Sequence, residues 1–183
     1  MERKDTGLAF LLQYENVAWY ENGRVRILDR RIYPEKITYV ECSSWQEVRQ
    51  AIADMVTQSA GPYTAAAMGM ALAAYQVRNE GAEKQRQFLA DAAEGLAHAR
   101  PTTANRMERI TVGCLATAEN ALNAGQDAAT ALFNAAIDSL NRRYGIMEKV
   151  GVYLAGLFPQ EGGILTQCFG ETIVGMMLKT ARI

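Results

Sequence analysis

The stretch ECSSWQEVRQAIADM, residues 41–55, marks the point at which the chain changes from strand-like to helix-like patterning. Ser44 is followed three residues later by Glu47, and this spacing is typical of a capping box at the start of a helix. Four apolar residues then recur at the spacing that places them on one face of a helix, namely Trp45, Val48, Ile52 and Met55. We therefore predict strands before this stretch and helices after it, with the first helix ending near Gln58.

Two strand-like runs precede the stretch and predict a β-hairpin. They cover residues 11–20 and 24–28, and they are separated by Glu21-Asn22-Gly23. Asn-Gly between strand-like runs is a strong hairpin signal, because both residues tolerate the positive φ angles of a tight turn. Pro34 interrupts the chain after the hairpin, and residues 37–40 predict a third short strand.

The middle of the chain predicts a helical bundle. After the first helix, apolar residues at helical spacing and helix-ending glycines indicate four more helices, at about 63–79, 85–98, 100–125 and 127–157. The break Pro159-Gln160-Glu161-Gly162-Gly163 then leads into an apolar run that predicts a strand over 164–168, followed by a helix over 171–181.

These elements predict an α+β fold that leads into an α/β fold. Residues 1–158 form the β-hairpin and helical domain, and residues 159–183 form the first β–α unit of a second domain. One strand with one helix cannot bury both faces of a parallel sheet. We therefore expect the rest of that second domain to lie outside this chain, so that the chain is a front half.

Composition narrows the classes of function. The chain has 183 residues and a net charge of −1, and its basic residues are scattered, so we expect neither nucleic acid nor anionic membrane as a partner. Three cysteines at wide spacing fit a reducing compartment, and a single histidine leaves little with which to build a metal site. With no convincing secretory signal and no apolar run near ~18 residues, the chain is predicted to be cytoplasmic, without metal or cofactor.

Cys168 is the first candidate for chemistry. It stands at the predicted junction of a strand and a helix, where α/β proteins bind ligands and where a helix start lowers the pKa of a thiol. The alternative is that Cys168 is a buried small apolar residue, as most free cysteines are.

Two polar segments are candidates for anion binding. In ARPTTANR, residues 99–106, Arg100 precedes a helix start that offers Thr102, Thr103 and unpaired N–H groups, a combination that suits a phosphate. In TQSAG, residues 57–61, Gln58, Ser59 and Gly61 form a polar turn between two helices. The alternatives are an ordinary capped helix with a solvated arginine and a simple helix–helix connection.

Together and in this order, the segments resemble one known family. It contains methylthioribose-1-phosphate isomerase, ribose-1,5-bisphosphate isomerase and the alpha, beta and delta subunits of eukaryotic translation initiation factor 2B. Residues 27–56 look like the isomerase N-terminus, ARPTTAN is similar to the family's R-P-T-A-x-N segment, and GILTQC is similar to its I-L-T-H-C segment. The resemblance covers the whole chain and stops about halfway through a typical member, at the first strand and helix of its Rossmann-like C-terminal domain.

The resemblance implies an activity and roles for several residues. The isomerases convert an aldose 1-phosphate to a ketose 1-phosphate, in methionine or nucleoside salvage. By resemblance, Cys168 occupies the position of the catalytic cysteine, and Arg100 that of a phosphate-binding arginine near Thr102, Thr103 and Asn105. Family members pair through their Rossmann-like halves, so we expect a homodimer of the complete protein, completed by its own C-terminal half or by a complementary chain.

Three departures from the family pattern leave two hypotheses. Gln58 stands where the isomerases carry the arginine of an Arg-Gly-Ala-Pro segment, and residues 167–170 replace His-Cys-Asn-x-Gly. The isomerases' partner aspartate belongs to the half that this chain lacks, so we expect no turnover by residues 1–183 alone. The chain is then either the N-terminal portion of an isomerase or a non-catalytic regulatory or scaffold subunit, related to initiation factor 2B, that binds a sugar phosphate or nucleotide. A third possibility, independent of these departures, is that the helical domain serves mainly in dimerisation.

Overall fold

The computed structural model describes residues 3–159, 161–165 and 170–181, and over these ranges the protein is mostly helical with a small antiparallel sheet. In the described residues the strands are β1 (Ala18–Glu21), β2 (Arg24–Leu28) and β3 (Tyr39–Cys42), and the α-helices are α1 (Trp45–Ala53), α2 (Gly61–Gln76), α3 (Ala82–Ala97), α4 (Ala104–Asn123), α5 (Ala128–Ala155) and α6 (Glu171–Ala181). Short 3-10 turns cover Phe10–Leu12, Tyr14–Asn16 and Pro101–Thr103. The chain divides into two compact units, residues 17–137 and residues 1–16 together with 138–183.

The predicted hairpin is confirmed. Strands β1 and β2 are antiparallel, with Glu21 opposite Arg24, and the turn residues Asn22 and Gly23 have φ angles of 50° and 75°. These are the left-handed conformations that an Asn-Gly turn provides at little cost. The same sheet adds β3 on the other side of β2.

Two predicted strand boundaries are wrong. The first strand begins at Ala18 and not at residue 11, because residues 10–16 form 3-10 turns in which the side-chain amide of Asn16 donates to the Phe10 carbonyl at 2.9 Å. The third strand covers Tyr39–Cys42 and not 37–40. Its register is set by pairs such as Val40 opposite Ile27, which leaves Ile37 exposed before the strand begins.

The capping box at the start of α1 is confirmed. The Ser44 hydroxyl accepts the Glu47 N–H at 3.3 Å, and the Glu47 carboxylate accepts the Ser43 N–H at 2.6 Å. The helix ends at Ala53, earlier than predicted, because Met55 adopts a φ of 62° and is exposed. Met55 therefore does not belong to the buried face that was predicted for it.

Helix α2 is the centre of the larger unit. It packs against α1, α3, α4, β1 and β2, and its alanine and methionine side chains are buried on most of its faces. Gly69 permits a close approach of α1 and α3, since a Cβ atom there would lie 3.0 Å from Val48 Cγ1 and 3.2 Å from a methyl carbon of Leu96. Small residues thus allow the neighbouring helices to reach the α2 backbone.

Two buried tyrosines stabilise the smaller unit through hydrogen bonds and ring packing. The Tyr14 hydroxyl donates to Asn141 Oδ1 at 2.9 Å, and the Tyr144 hydroxyl donates to the Leu12 carbonyl at 2.9 Å. The two rings meet edge to face with centroids 5.0 Å apart. Because both hydroxyls are hydrogen-bonded, the two aromatic rings are buried without leaving either hydroxyl unpaired.

The C-terminal elements are resolved in part. Helix α6 covers Glu171–Ala181, as predicted. Ile164 and Leu165 are described and do not lie in a strand, while residues 166–169 of the predicted strand lie outside the described residues. The Rossmann-like unit and the domain boundary between residues 158 and 159 therefore stay predictions. In the part of the chain that is described, no helix combines the length and apolarity needed to cross a membrane.

Candidate functional site

The first turns of α2 and α4 meet through a contact between Tyr63 and Arg106. The guanidinium carbon of Arg106 lies 4.5 Å from the centroid of the Tyr63 ring, within the range of a cation–π interaction. Each residue is the third of its helix, so the two helix starts lie at the same end of the bundle. Neither start has a side-chain cap, since Ala60 and Thr103 make no capping hydrogen bond. Two uncapped N-terminal turns favour a negative charge in their vicinity.

The turn before α2 has a constrained backbone. The Gly61 N–H donates to the Gln58 carbonyl at 2.8 Å, and Ser59 adopts a left-handed φ of 55°. Only glycine fits at position 61, because a Cβ atom there would lie 1.9 Å from Thr57 Oγ1. The turn leaves Ser59 exposed and Gln58 half-buried, whereas Gly61 is buried. The polar groups of this turn are therefore presented just before the α2 start.

The segment before α4 presents Arg100 and its neighbours. Arg100 is half-buried and precedes the 3-10 turn Pro101–Thr103, whereas Thr102 and Asn105 are exposed. The Thr103 hydroxyl is already engaged, since it donates to the Arg100 carbonyl at 3.4 Å and lies 3.2 Å from Met107 Sδ. Thr102 and Asn105 are therefore better placed than Thr103 to meet a ligand with their side chains.

The charges near these helix starts are not balanced locally. Within the described ranges, neither Arg100 nor Arg106 forms an ion pair with a carboxylate. Arg86 on α3 provides the contrast, since it contacts Glu83 and Glu119 at 2.7 and 2.8 Å. An arginine without a carboxylate partner keeps its donors for an anion, and its planar fork matches phosphate geometry.

Sequence reasoning identified the two segments but not the contact that joins them. Arg106 closes the ARPTTANR segment and Tyr63 follows the Gln58–Pro62 turn, yet neither was singled out as a site residue. The signal that could have found them is their matching position, three residues into two helices that each follow a polar turn. Sequence spacing does not report which helix starts are neighbours in space.

Cys168 lies outside the described residues, together with Thr166, Gln167 and Phe169, so its role stays a prediction. The other two cysteines are poor nucleophiles. Burial raises the pKa of the Cys42 thiol to about 11 and that of Cys114 to about 12, although Cys114 keeps part of its surface exposed. A raised pKa leaves almost no thiolate at neutral pH. Among the described side chains, no three potential metal ligands form a cluster.

A concave surface lies between α3 and α4, away from the two helix starts. It is an open cleft of about 330 Å³ with Leu89, Leu115 and Leu122 on its apolar walls and Arg86 and Glu119 at its edge. It adjoins the C-terminal half of α4, whereas Arg106 lies in the first turn of that helix. Its arginine is already neutralised by carboxylates, so this cleft is not the better candidate for an anion.

Comparison with known proteins finds relatives that carry one name. A methylthioribose-1-phosphate isomerase of Synechococcus sp. is 30% identical to it over 156 residues, which cover 85% of this chain and 44% of that enzyme. The chain is homologous to the methylthioribose-1-phosphate isomerases. It spans less than half the length of the curated relatives that it matches. No family model matches the chain.

Two solved structures share the fold of this chain. The delta subunit of the translation initiation factor eIF-2B from A. fulgidus gives a TM-score of 0.69 at 22% identity, covering 91% of this chain and 51% of that one. The 5-methylthioribose 1-phosphate isomerase of Pyrococcus horikoshii gives 0.68 at 21% identity, covering 91% and 49%. The resemblance predicted from the sequence is confirmed, and the two structures are equally similar in fold.

Proposed function

We propose that this chain is the substrate-anchoring portion of an isomerase that interconverts an aldose 1-phosphate and a ketose 1-phosphate. The observation that carries the proposal is the meeting of the α2 and α4 starts at Tyr63 and Arg106. That meeting brings the 58–61 turn and the 100–105 segment to one end of the bundle. The names of the homologues favour methylthioribose 1-phosphate as the substrate.

Phosphate binding is the task that the described residues can perform. Arg100 supplies a two-pronged, charge-assisted contact, while Thr102, Asn105 and Ser59 supply neutral donors beside it. A hydrogen bond to a charged group contributes about 1.5–3 kcal/mol, and the uncapped helix starts add a smaller attraction. Because no carboxylate pairs with Arg100 within the described ranges, binding does not require an existing ion pair to break.

The chemical step is assigned to Cys168. A phosphate on C1 prevents simple opening of the sugar ring, so the reaction needs acid–base help at the ring oxygen and then movement of hydrogen between C1 and C2. Cys168 would exchange the proton, in a Rossmann-like domain of which residues 159–183 form the start. The isomerases' second acid–base residue, an aspartate, lies beyond these residues, so the chain alone is expected to bind substrate without converting it.

A second function is favoured by one observation, the glutamine at position 58. A neutral amide cannot supply the charge-assisted hydrogen bonds of the arginine that the isomerases carry there. A chain that binds a sugar phosphate or nucleotide but does not convert it would act as a regulatory or scaffold subunit, similar to those of initiation factor 2B.

Turnover separates the two functions. The chain is combined with a polypeptide equivalent to the remaining half of the isomerases, and methylthioribose 1-phosphate is followed by NMR as it converts to the ketose. The isomerase function predicts turnover that Cys168→Ser abolishes and that Cys114→Ser, the control for a different thiol, retains. Substrate binding without turnover in the wild-type complex would contradict the isomerase function and favour the scaffold.

A further inference from the structure

An unpaired apolar stripe runs along the C-terminal half of α5 and into the turn that follows. Its members recur at intervals of four, three and four residues, which places them on one face of a helix. We call them the α5 stripe: Ile146, Val150, Tyr153 and Leu157, which are 58%, 37%, 76% and 79% exposed.

The opposite face of α5 is occupied by the smaller unit itself. Glu148 pairs with Lys179 of α6 at 2.8 Å, and a Cβ atom added at Gly151 would lie 3.0 Å from Met176 of α6. Tyr144, on the same side, contacts Leu12. At 100° per residue this face lies roughly half a turn from the α5 stripe. Helix α6 therefore cannot cover the stripe while it makes these contacts.

The apolar character continues beyond the helix. Ile164 and Leu165 are both exposed, and Leu165 is almost entirely so. Soluble monomers rarely expose apolar patches of more than a few hundred Å², and larger ones mark interaction sites. Each Å² of apolar surface removed from water contributes about 25 cal/mol, so covering these large side chains would favour association.

We propose that the α5 stripe is the docking surface for the polypeptide that makes up the other half of the isomerase fold. The relatives supply the reason for this occupant, since the chain covers 44% of the Synechococcus enzyme and 49% of the Pyrococcus horikoshii structure. A protein of that fold has as much chain again, which must pack on some surface of this half. The proposal rests on the proposed function, because it names the surface through which the catalytic half is completed.

The test is co-purification with a defined fragment. The full 183-residue chain, carrying an affinity tag, is co-expressed with the segment of the Synechococcus isomerase outside the matched residues. A 1:1 complex is expected by light scattering. The double variant Tyr153→Glu/Leu157→Glu should weaken it at least tenfold, whereas Val112→Glu, at an apolar position on α4 that is 58% exposed, should leave it within twofold.

A covalent chimera makes the result independent of the fragment's own solubility. The same isomerase segment is fused after this chain in a background in which every native cysteine, including Cys42, Cys114 and Cys168, is replaced by alanine. A spin label is then attached at Tyr153→Cys, or at Val112→Cys as the control. The label at 153 should become immobile in the chimera while the label at 112 stays mobile. The proposal would be overturned by a mobile label at position 153 in the chimera or by a complex whose affinity is unchanged in the stripe variants. It would also be overturned if the chain formed a homodimer that the stripe variants dissociate.

A result against docking at the α5 stripe can be distinguished from a result against the proposed function. Binding of methylthioribose 1-phosphate is measured on the isolated chain, where it depends on Arg100 and not on the α5 stripe. Substrate binding that persists in the stripe variants, together with loss of the complex, assigns the effect to docking alone.

Discussion

The guanidinium of Arg106 lies over the ring of Tyr63, with its central carbon 4.5 Å from the ring centroid. This contact joins the start of α4 to the start of α2. The 100–105 segment, which contains Arg100, and the 58–61 turn, which contains Gln58, therefore lie at one end of the bundle. In the proposed function, the two helix starts and Arg100, which pairs with no carboxylate within the described residues, would form the anion site.

Removing the Tyr63 ring should weaken the anion site modestly. A cation–π contact at an exposed position contributes about 0.5–1 kcal/mol, so Tyr63→Ala is expected to lower the affinity for methylthioribose 1-phosphate about twofold to fivefold. Isothermal titration calorimetry measures this. Tyr63→Phe keeps the ring and should bind as the wild type does, and an equal loss in both variants would show that the ring does not position Arg106.

Restoring a positive charge at position 58 should strengthen binding. Gln58→Arg adds a charge-assisted contact worth about 1.5–3 kcal/mol, which predicts at least a tenfold gain in affinity for the phosphate ester. Gln126→Arg adds the same charge at an exposed position outside the site and should change affinity less than twofold. An equal gain in both variants would mean that overall charge, and not the 58–61 turn, governs binding.

The turn before α2 should not tolerate a side chain at position 61. A Cβ atom there would lie 1.9 Å from Thr57 Oγ1, so Gly61→Ala is expected to destabilise the protein by about 1–3 kcal/mol. Gly113→Ala is the matched control, because a Cβ atom in the middle of α4 meets nothing within 4 Å and should stabilise by about 1 kcal/mol. Urea unfolding of both variants measures the difference. If Gly61→Ala proves as stable as Gly113→Ala, the 58–61 turn is not packed as described.

Stability should fall in acid through the carboxylates around Arg3. Arg3 donates to Asp5 Oδ1 at 2.9 Å and to Glu15 Oε2 at 2.6 Å. Burial acts to raise the pKa of Asp5, but the Arg3 hydrogen bond and the Tyr14 N–H outweigh it and lower that pKa; the Arg3 hydrogen bond lowers the pKa of Glu15. Since both folded pKa values are depressed, their contribution is present above the unfolded values of about 4 and is lost as pH falls below them.

The acid effect is measured by urea unfolding at pH 7 and pH 3. Asp5→Asn should be less stable than the wild type at pH 7 and should lose less stability on acidification. Equal pH dependence in wild type and Asp5→Asn would remove Asp5 from this account.

Short sequence patterns predicted the elements whose formation depends on residues that are close together in the sequence. The Ser44–Glu47 box, the Asn22-Gly23 turn and α6 all depend on residues close in sequence, and each is found. The predicted early start of the first strand failed because residues 10–16 form turns, in a region where Tyr14 hydrogen-bonds Asn141 far along the chain. Such long-range pairings leave no short sequence pattern.

The candidate site also has a part that the sequence predicts and a part that it does not. Its two segments could be read from residue types, since an arginine before a helix start and a polar turn with glycine suit an anion. The contact between Tyr63 and Arg106 could not, because it depends on how α2 and α4 pack together. The exposure of the α5 stripe could not be predicted either, since an apolar sequence pattern does not say which apolar side chains remain exposed to solvent.

The affinity of the full chain for methylthioribose 1-phosphate, compared between wild type and Arg100→Ala by calorimetry, tests the central claim most directly. The anion site predicts that wild type binds the phosphate ester but not unphosphorylated methylthioribose, and that Arg100→Ala weakens binding at least tenfold, consistent with loss of about 1.5–3 kcal/mol. Arg49→Ala, which removes an exposed arginine from α1, should bind as the wild type does. Unchanged affinity in Arg100→Ala, or equal binding of the unphosphorylated sugar, would contradict the claim.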